Sequence, residues 1–154
     1  MEIWKDIPGY EGLYQVSDLG QVKSYDMLVN NCGKSKSLRR GRILKKTNIK
    51  GYERVHLCKD GKVMQCYVHY LVLSTFLPNP EPYTLTEINH KNEDKSDNRL
   101  CNLEWCDRKY NNNYGTHTQR MVETKIKRGL WDPNLVGLGK KEYMKQYVLN
   151  RVVH

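Results

Sequence analysis

The chain has 154 residues, of which 38% are hydrophobic, and its 26 lysines and arginines outnumber 17 aspartates and glutamates to give a net charge of +9. This length fits one or two small domains, and a single phenylalanine beside 11 tyrosines argues against one large apolar core. The longest apolar run near residue 72 has three residues and the N-terminus is charged, so the sequence predicts neither a membrane span nor a signal segment.

The positive charge is unevenly distributed. Residues 30–66 hold eleven basic and two acidic side chains, a charge of +9, whereas residues 1–29, 67–117 and 118–154 carry −3, −2 and +5. A run of like charge is usually a solvated face or a disordered tail. Between Lys34 and Lys46 there are nevertheless seven basic residues and no acidic one, which favours contact with a polyanion. We expect this contact to be made by residues 30–66 rather than by the acidic segment 67–117.

The first elements in chain order are short strands. Leu13–Val16 and Gln21–Tyr25 alternate around Ser17–Gly20, which predicts a hairpin with glycine ending its turn. Asn30–Leu38 is rich in Gly, Ser, Asn and Lys and is predicted to be a loop that orders only on its ligand. Gly41–Lys46 is predicted to begin another strand.

A second hairpin is predicted over Arg54–Val68, with Asp60-Gly61 as a type I′ turn. About that turn Val55 pairs with Cys66 and Leu57 with Met64, giving one apolar face. The opposite face is polar and basic, which suits a phosphate backbone.

Helices and a β-hairpin follow. Helical spacing of apolar residues predicts a helix over Val68–Leu77, ended by Pro78. A short strand then ends at His90, residues 91–101 form a polar loop, and Asn102–Cys106 alternates as a strand does. Asp107 is suited to cap the next helix and Gly115 to end it. A capping box at Thr116–Gln119 predicts a helix up to Gly129, with Met121, Val122 and Ile126 on its apolar side, and Lys140–Val152 predicts another after a loop at 131–139.

Two stretches resemble a known family. In Glu87–Asn113, Asn89-His90 is followed by Asn102 twelve residues after the histidine and by Asn111 nine residues later. This order resembles the catalytic motif of HNH nucleases in the form carried by phage homing endonucleases. Trp4–Ser24, with its G-Y-E-G-L-Y-Q-V-S pattern, resembles the small module that precedes the catalytic unit in those enzymes; a purely structural hairpin is the alternative.

The resemblance implies a ββα unit that holds one divalent ion, Mg²⁺ or Mn²⁺. It implies that His90 is the general base, that Asn102 holds the loop and orients the imidazole, and that Asn89 and Asn111 are metal ligands. Some relatives have Asp at the first ligand position, so the neutral amide of Asn89 is expected to bind metal less strongly. His69 is expected to pack and to lie near DNA. The residues predicted to contact DNA are Lys34, Lys36, Arg39, Arg40, Arg42, Lys45, Lys46, Arg54, His69 and Arg108.

The cysteines do not indicate a disulfide framework. Their number is five and no C-x-x-C occurs, which also argues against a zinc ribbon. A zinc role for Cys101 and Cys106 with His117 stays open beside the interpretation that they are small buried thiols. A reducing compartment is expected.

We therefore expect an α+β chain of small antiparallel hairpin modules, an HNH nuclease unit and C-terminal helices. The expected domains are a β-rich DNA-binding module at 1–66, the nuclease at 67–117 and a basic helical extension at 118–154. The expected activity is metal-dependent nicking or cutting of double-stranded DNA, by a monomer or weak dimer, in the cytoplasm of a bacterial or phage-infected cell. A DNA-binding protein without catalysis and a host-defence or restriction nuclease are the alternatives.

Overall fold

The computed structural model describes residues 1–31 and 35–129. Within these ranges the strands are β1 (Trp4–Asp6), β2 (Tyr14–Ser17), β3 (Val22–Ser24), β4 (Met27–Asn31), β5 (Ser35–Arg39), β6 (Thr47–Ile49), β7 (Tyr52–Lys59), β8 (Lys62–Tyr67), β9 (Glu87–His90) and β10 (Leu103–Cys106). The helices are α1 (Val68–Phe76), α2 (Arg108–Asn113) and α3 (His117–Lys127), with a 3₁₀ turn at Leu100–Asn102. The chain divides into two compact units, with the boundary in the sequence between Asn111 and Asn112.

The first sheet has the order β1-β2-β3 and contains the first predicted hairpin. Tyr14 pairs with Ser24 and Val16 with Val22. The turn closes with a hydrogen bond from Gly20 N to Ser17 O of 3.0 Å. Gly20 has a φ of +79°, a conformation that side-chain-bearing residues rarely adopt. The predicted strand–turn–strand is therefore confirmed.

The prediction of a loop over 30–38 is wrong for the described residues there. Met27–Asn31 and Ser35–Arg39 pair as an antiparallel hairpin, with Leu28 opposite Leu38. Backbone pairing forms this hairpin despite a polar composition, and it buries little, since Leu28 is 70% exposed and Leu38 50% exposed. Lys34 lies outside the described residues.

The strand predicted at Gly41–Lys46 is also wrong. This segment makes only a single bridge, between Lys23 and Ile43. Hydrogen bonds from Ser24 N to Arg42 O of 2.9 Å and from Leu44 N to Val22 O of 2.8 Å hold it along β3. The next strand, β6, begins only at Thr47, after the end of this segment.

The second predicted hairpin is confirmed, with the register as expected. Val55 lies opposite Cys66 and Leu57 opposite Met64, and Asp60 and Gly61 have φ values of 51° and 73°, both positive as a type I′ turn requires. The apolar face is shorter than predicted, because the ribbon extends into solvent near its turn and Met64 is 57% exposed. Strand β6 adds to β7 and makes a three-stranded sheet.

Helix α1 supplies the centre of the core of the first unit. Four residues of this helix are buried in the core: Val68, Leu71, Val72 and Leu73. They lie in one cluster with buried residues of both three-stranded sheets and of β10, among them Val16, Val22, Val55, Leu57 and Leu103. Trp105 of β10 donates a hydrogen bond of 2.8 Å to Leu77 O at the end of this helix. The core thus fixes the β9–β10 hairpin against elements that come much earlier in the chain.

The β9–β10 hairpin and α2 form the expected ββα arrangement. His90 pairs with Leu103 and Asn89 with Glu104. Asp107 caps α2 as predicted, because its Oδ1 accepts a hydrogen bond of 2.7 Å from Tyr110 N.

In the second unit, α3 begins after Thr116 without the side-chain hydrogen bond of a capping box, and Gly129 follows it with a φ of 62°. Its Met121, Val122 and Ile126 are 47%, 36% and 41% exposed. The predicted loop at 131–139 and helix at 140–152 lie outside the described residues. No helix in the described part of the chain is long and apolar enough to cross a membrane.

Candidate active site

His90 stands at the end of β9 and is only 5% exposed. Its ring lies against two other aromatic side chains, with centroid distances of 5.3 Å to His69 and 6.1 Å to Tyr52. Burial lowers the pKa of His90 below its usual 6.5. The imidazole is therefore neutral at neutral pH and able to accept a proton.

Asn102 makes three hydrogen bonds within the loop between the two strands. Its Nδ2 donates to Asn92 Oδ1 at 2.9 Å and to Asp97 O at 2.8 Å, and its Oδ1 accepts from Asn92 N at 3.0 Å. The hydrogen bond to the imidazole comes from a different residue. Asn98 Oδ1 lies 3.4 Å from His90 Nε2, and the orienting role predicted for Asn102 stays a prediction.

Asn98 is 3% exposed and is fixed on several sides. Its Nδ2 lies 2.8 Å from Glu53 Oε2 and 3.1 Å from Ser96 O. A Cβ added at Gly20 would lie 2.9 Å from both the Cβ and the O of Asn98, so the first sheet's turn touches this loop directly. The signal for Asn98 in the sequence is weak, because Glu53 is 45 residues away.

The two predicted metal ligands each have a carboxylate beside them. Asn89 Nδ2 donates to Glu104 Oε1 at 2.7 Å, and Asn111 Nδ2 donates to Glu87 Oε2 at 2.7 Å. In each of these residues the amide nitrogen therefore donates to a carboxylate, and the amide oxygen is left to accept from or bind another partner. Amide and carboxylate oxygens are the ligands that Mg²⁺ and Mn²⁺ prefer, so the residues present fit such an ion.

The carboxylates are a feature that sequence reasoning missed. Strand pairing alone would have placed Glu104 opposite Asn89. Glu87 stays ionised, because hydrogen bonds from Asn111 and Arg108 lower the pKa of its carboxyl group. Among the described residues no group of three or more His, Cys, Asp and Glu side chains is arranged to hold a metal ion.

His69 packs beside His90 and is neutral. Burial, with a smaller effect of His90, lowers the pKa of His69 to about 4. Its Nδ1 is buried without a hydrogen-bond partner, and its ring stacks on Tyr67 at a centroid distance of 5.1 Å. The expected packing is present, and the contact with DNA stays a prediction.

The predicted DNA-contacting cations fall into two groups. Lys36, Arg39, Arg42 and Lys45 are exposed. Three others form ion pairs within the chain: Arg40 with Asp26 at 3.0 Å, Lys46 with Glu53 at 2.8 Å and Arg108 with Glu87 at 3.0 Å. Arg54 lies 4.1 Å from the centre of the Tyr67 ring and donates a hydrogen bond to the Tyr67 hydroxyl. Lys46 is the most enclosed of the ion-paired cations, since its side chain is 21% exposed against 81% for both Arg40 and Arg108.

The cysteines near the motif differ from each other. Cys106 is buried, which raises the pKa of its thiol to about 11. Cys101 is exposed, so the expectation of two buried thiols is wrong for Cys101, because its side chain lies on the 3₁₀ turn facing solvent. The side chain of His117 lies outside the described part of the structure.

Comparison with known proteins identifies both stretches. The NUMOD4 motif model matches residues 2–58, and an HNH endonuclease model matches residues 66–113. The chain is 38% identical over 130 residues to an uncharacterised HNH endonuclease of Acanthamoeba polyphaga mimivirus, covering 79% of this chain and 29% of the relative. It is 38% identical over 109 residues to the DNA endonuclease I-HmuI of Bacillus phage SP01, covering 70% of this chain and 54% of the relative.

A solved structure supports the same conclusion and confirms the α+β fold class. The structure titled DNA binding and cleavage by the HNH homing endonuclease I-HmuI matches with a TM-score of 0.53 and 32% identity, over 86% of this chain and 62% of that one. This chain thus spans only part of the relatives it matches. It carries a NUMOD4 motif followed by an HNH endonuclease domain, and it is homologous to the phage HNH homing endonuclease I-HmuI.

Proposed function

We propose that the protein is a metal-dependent DNA endonuclease of the homing-endonuclease type, with His90 as its proton acceptor. The observation that carries this proposal is a buried, neutral histidine at the end of β9, directly after an amide that is paired with a carboxylate. A neutral imidazole removed from bulk water suits a general base at neutral pH.

The proposed reaction is the one that the resemblance to HNH nucleases implies. His90 takes a proton from a water molecule as the water oxygen attacks phosphorus. The bond between phosphorus and the 3′ oxygen breaks and this oxygen takes up a proton from solvent, so the products are a 3′-hydroxyl and a 5′-phosphate. Asn102 keeps the loop beside the histidine in place through its three hydrogen bonds. One such site cuts one strand, so a monomer nicks DNA.

A divalent ion would complete the site. Asn89 and Asn111 would hold it through their amide oxygens, with Glu104 and Glu87 supplying negative charge beside them. Bound there, Mg²⁺ or Mn²⁺ would supply Lewis-acid stabilisation of the charge that develops on the phosphate and leaving oxygen.

The setting proposed for this activity follows the phage relative. The substrate is double-stranded DNA, bound through the exposed cations of β5 and the segment after it. The protein acts as a monomer or weak dimer in the cytoplasm of a bacterial or phage-infected cell.

A DNA-binding protein without catalysis is the second candidate. The neutral Asn89 favours it, because a neutral ligand binds a hard cation less strongly than a carboxylate. Glu104 lies 2.7 Å from the Asn89 nitrogen and supplies next to Asn89 the negative charge that an Asp ligand would carry. This contact favours the enzyme over the DNA-binding protein without catalysis.

Incubation with supercoiled plasmid separates these candidates. We expect relaxed, nicked plasmid with Mg²⁺ or Mn²⁺ and intact plasmid with excess EDTA. Plasmid that is bound in a gel-shift assay but stays supercoiled with either ion would favour the binding protein.

A further inference from the structure

The orientation of the Asn98 amide determines which nitrogen of His90 carries a proton. Asn98 Nδ2 has two hydrogens, and it faces two oxygens, Glu53 Oε2 at 2.8 Å and Ser96 O at 3.1 Å. A carboxylate and a carbonyl only accept hydrogen bonds. The remaining amide atom, Oδ1, is therefore the one that faces His90 Nε2 at 3.4 Å.

The opposite orientation of this amide is unfavourable. Rotation by 180° would bring the oxygen of Asn98 to the place of its nitrogen, against the Glu53 carboxylate and the Ser96 carbonyl. Amide orientation is assigned from such networks of partners, and here both neighbours of Nδ2 select the same assignment. Since Oδ1 only accepts, His90 Nε2 must donate, and the neutral ring then carries its free lone pair on Nδ1.

Glu53 is itself held in place. Lys46 Nζ lies 2.8 Å from the same Oε2 that accepts from Asn98, and the two side chains of this ion pair are only 21% and 22% exposed. Glu53 lies on β7, between Tyr52, whose ring contacts His90, and Arg54. The carboxylate thus reaches the nuclease motif from a different sheet.

We propose that Glu53 and Asn98 are positioning residues for His90, and that the chain from Lys46 through Glu53 and Asn98 holds the imidazole in its Nε2–H form with Nδ1 as the proton acceptor. This inference rests on the role of His90 proposed above. On this inference Lys46 does not contact a DNA phosphate, because its ammonium group is paired with Glu53.

The tautomer is measured directly by NMR on the full chain labelled with ¹⁵N in its histidines. At a pH at which His90 is neutral, the two ring nitrogens differ in chemical shift according to which one is protonated, and His90→Gln identifies the signals. We expect a protonated Nε2 and an unprotonated Nδ1. A parent protein in which Nδ1 carries the proton would overturn the inference, and this result does not depend on DNA cleavage.

Glu53→Gln tests the positioning role. The introduced amide can donate to Asn98 as well as accept, so only Ser96 O still selects the orientation of the Asn98 amide. The rotated amide then becomes populated and His90 becomes a mixture of tautomers. We expect the single-turnover cleavage rate at saturating DNA to fall about 10-fold or more, as for other residues that orient a functional histidine, with the DNA dissociation constant unchanged within about 2-fold. Glu81→Gln, an exposed glutamate of the loop after α1, is the matched control and should match the parent.

A compensating double variant separates positioning from general loss of structure. In E53Q/N98D the introduced amide donates to the introduced carboxylate, which still accepts from His90 Nε2 but places its second oxygen against the Ser96 carbonyl. We expect the Nε2–H tautomer and at least part of the cleavage rate to return relative to E53Q. If E53Q keeps a single tautomer and the parental rate, Glu53 has no positioning role. If the parent has the expected tautomer but cuts no DNA, the proposed function fails and the assignment of the tautomer stands.

Discussion

The β4–β5 hairpin with the segment after it and the end of β9 use polar residues in opposite ways. Around β5 the cations are exposed, and the side chain of Arg40 is 81% exposed even though it is paired with Asp26. At the end of β9, His90 and Asn98 are 5% and 3% exposed and their partners are neutral or acidic. Exposed charges act at a distance and add roughly independently, whereas buried polar groups depend on each partner. Affinity and chemistry should therefore respond differently to substitution.

Replacement of the histidine should have the largest effect. In His90→Ala the proposed proton acceptor is lost, and a general base typically contributes about 10²–10⁴-fold to the rate. DNA binding at low salt should persist, because the exposed cations are unchanged. Single-turnover cleavage and a filter-binding assay measure the two quantities. Parental cleavage by this variant would remove His90 from the mechanism.

Changes at the proposed metal ligands should have the next largest effect. Asn89→Asp adds a carboxylate and should lower the metal concentration for half-maximal rate, and Asn111→Ala should raise it, each by about 10-fold. Glu104→Gln should also raise it, because the negative charge beside Asn89 is lost. Titration of Mn²⁺ binding by calorimetry checks the affinities without cleavage. Unchanged titrations in all three variants would place the ligands elsewhere.

The cations of β5 and the following segment should change affinity alone. Replacing Arg39, Arg40, Arg42 and Lys45 by Gln should flatten the slope of log K against log salt by roughly 3–4, since each phosphate contact contributes about −0.9. The cleavage rate at saturating DNA should stay within a few-fold of the parent. A slope equal to the parental one would mean that these residues form only a solvated surface.

Lys46→Gln sharpens the same comparison at a single residue. Its ammonium is paired with Glu53, so we expect an unchanged salt slope together with a slower cleavage step. This is the reverse of the pattern expected for the four exposed cations. A slope that flattens by about 0.9 with an unchanged rate would instead identify Lys46 as an ordinary phosphate contact.

The smallest expected effect is a pH dependence of stability. The pKa of His69 is about 4 in the folded chain and its usual value is 6.5, so the unfolded chain binds more protons between these values. The free energy of unfolding should therefore fall as the pH drops from 6.5 toward 4, by at most about 3 kcal/mol from this group. His69→Phe should remove most of that decrease between pH 7 and pH 5 in urea unfolding. An equal decrease in this variant would assign the pH dependence to other groups.

The sequence predicts the parts of the site that are local. The spacing of His90, Asn102 and Asn111 corresponds to one hairpin and one helix, and Asp60-Gly61 determines the register of β7 with β8 through its turn type. The partners brought in from elsewhere are not predictable in this way. The contact of Glu53 with Asn98 spans 45 residues and leaves no periodic signal, and β4–β5 pairs through backbone groups whose polar side chains suggest a loop.

The contact between Gly20 and Asn98 limits how freely the N-terminal module can be exchanged between endonucleases. Any side chain at Gly20 would lie too close to the Cβ and backbone O of Asn98 and would be strained at a φ of +79°. Leu100 N also donates a hydrogen bond of 2.8 Å to Asp18 O of the same turn. A chimera that grafts a foreign module onto this nuclease would have to keep both the glycine turn and the loop that it touches, so recombination should succeed at junctions that transfer the two together.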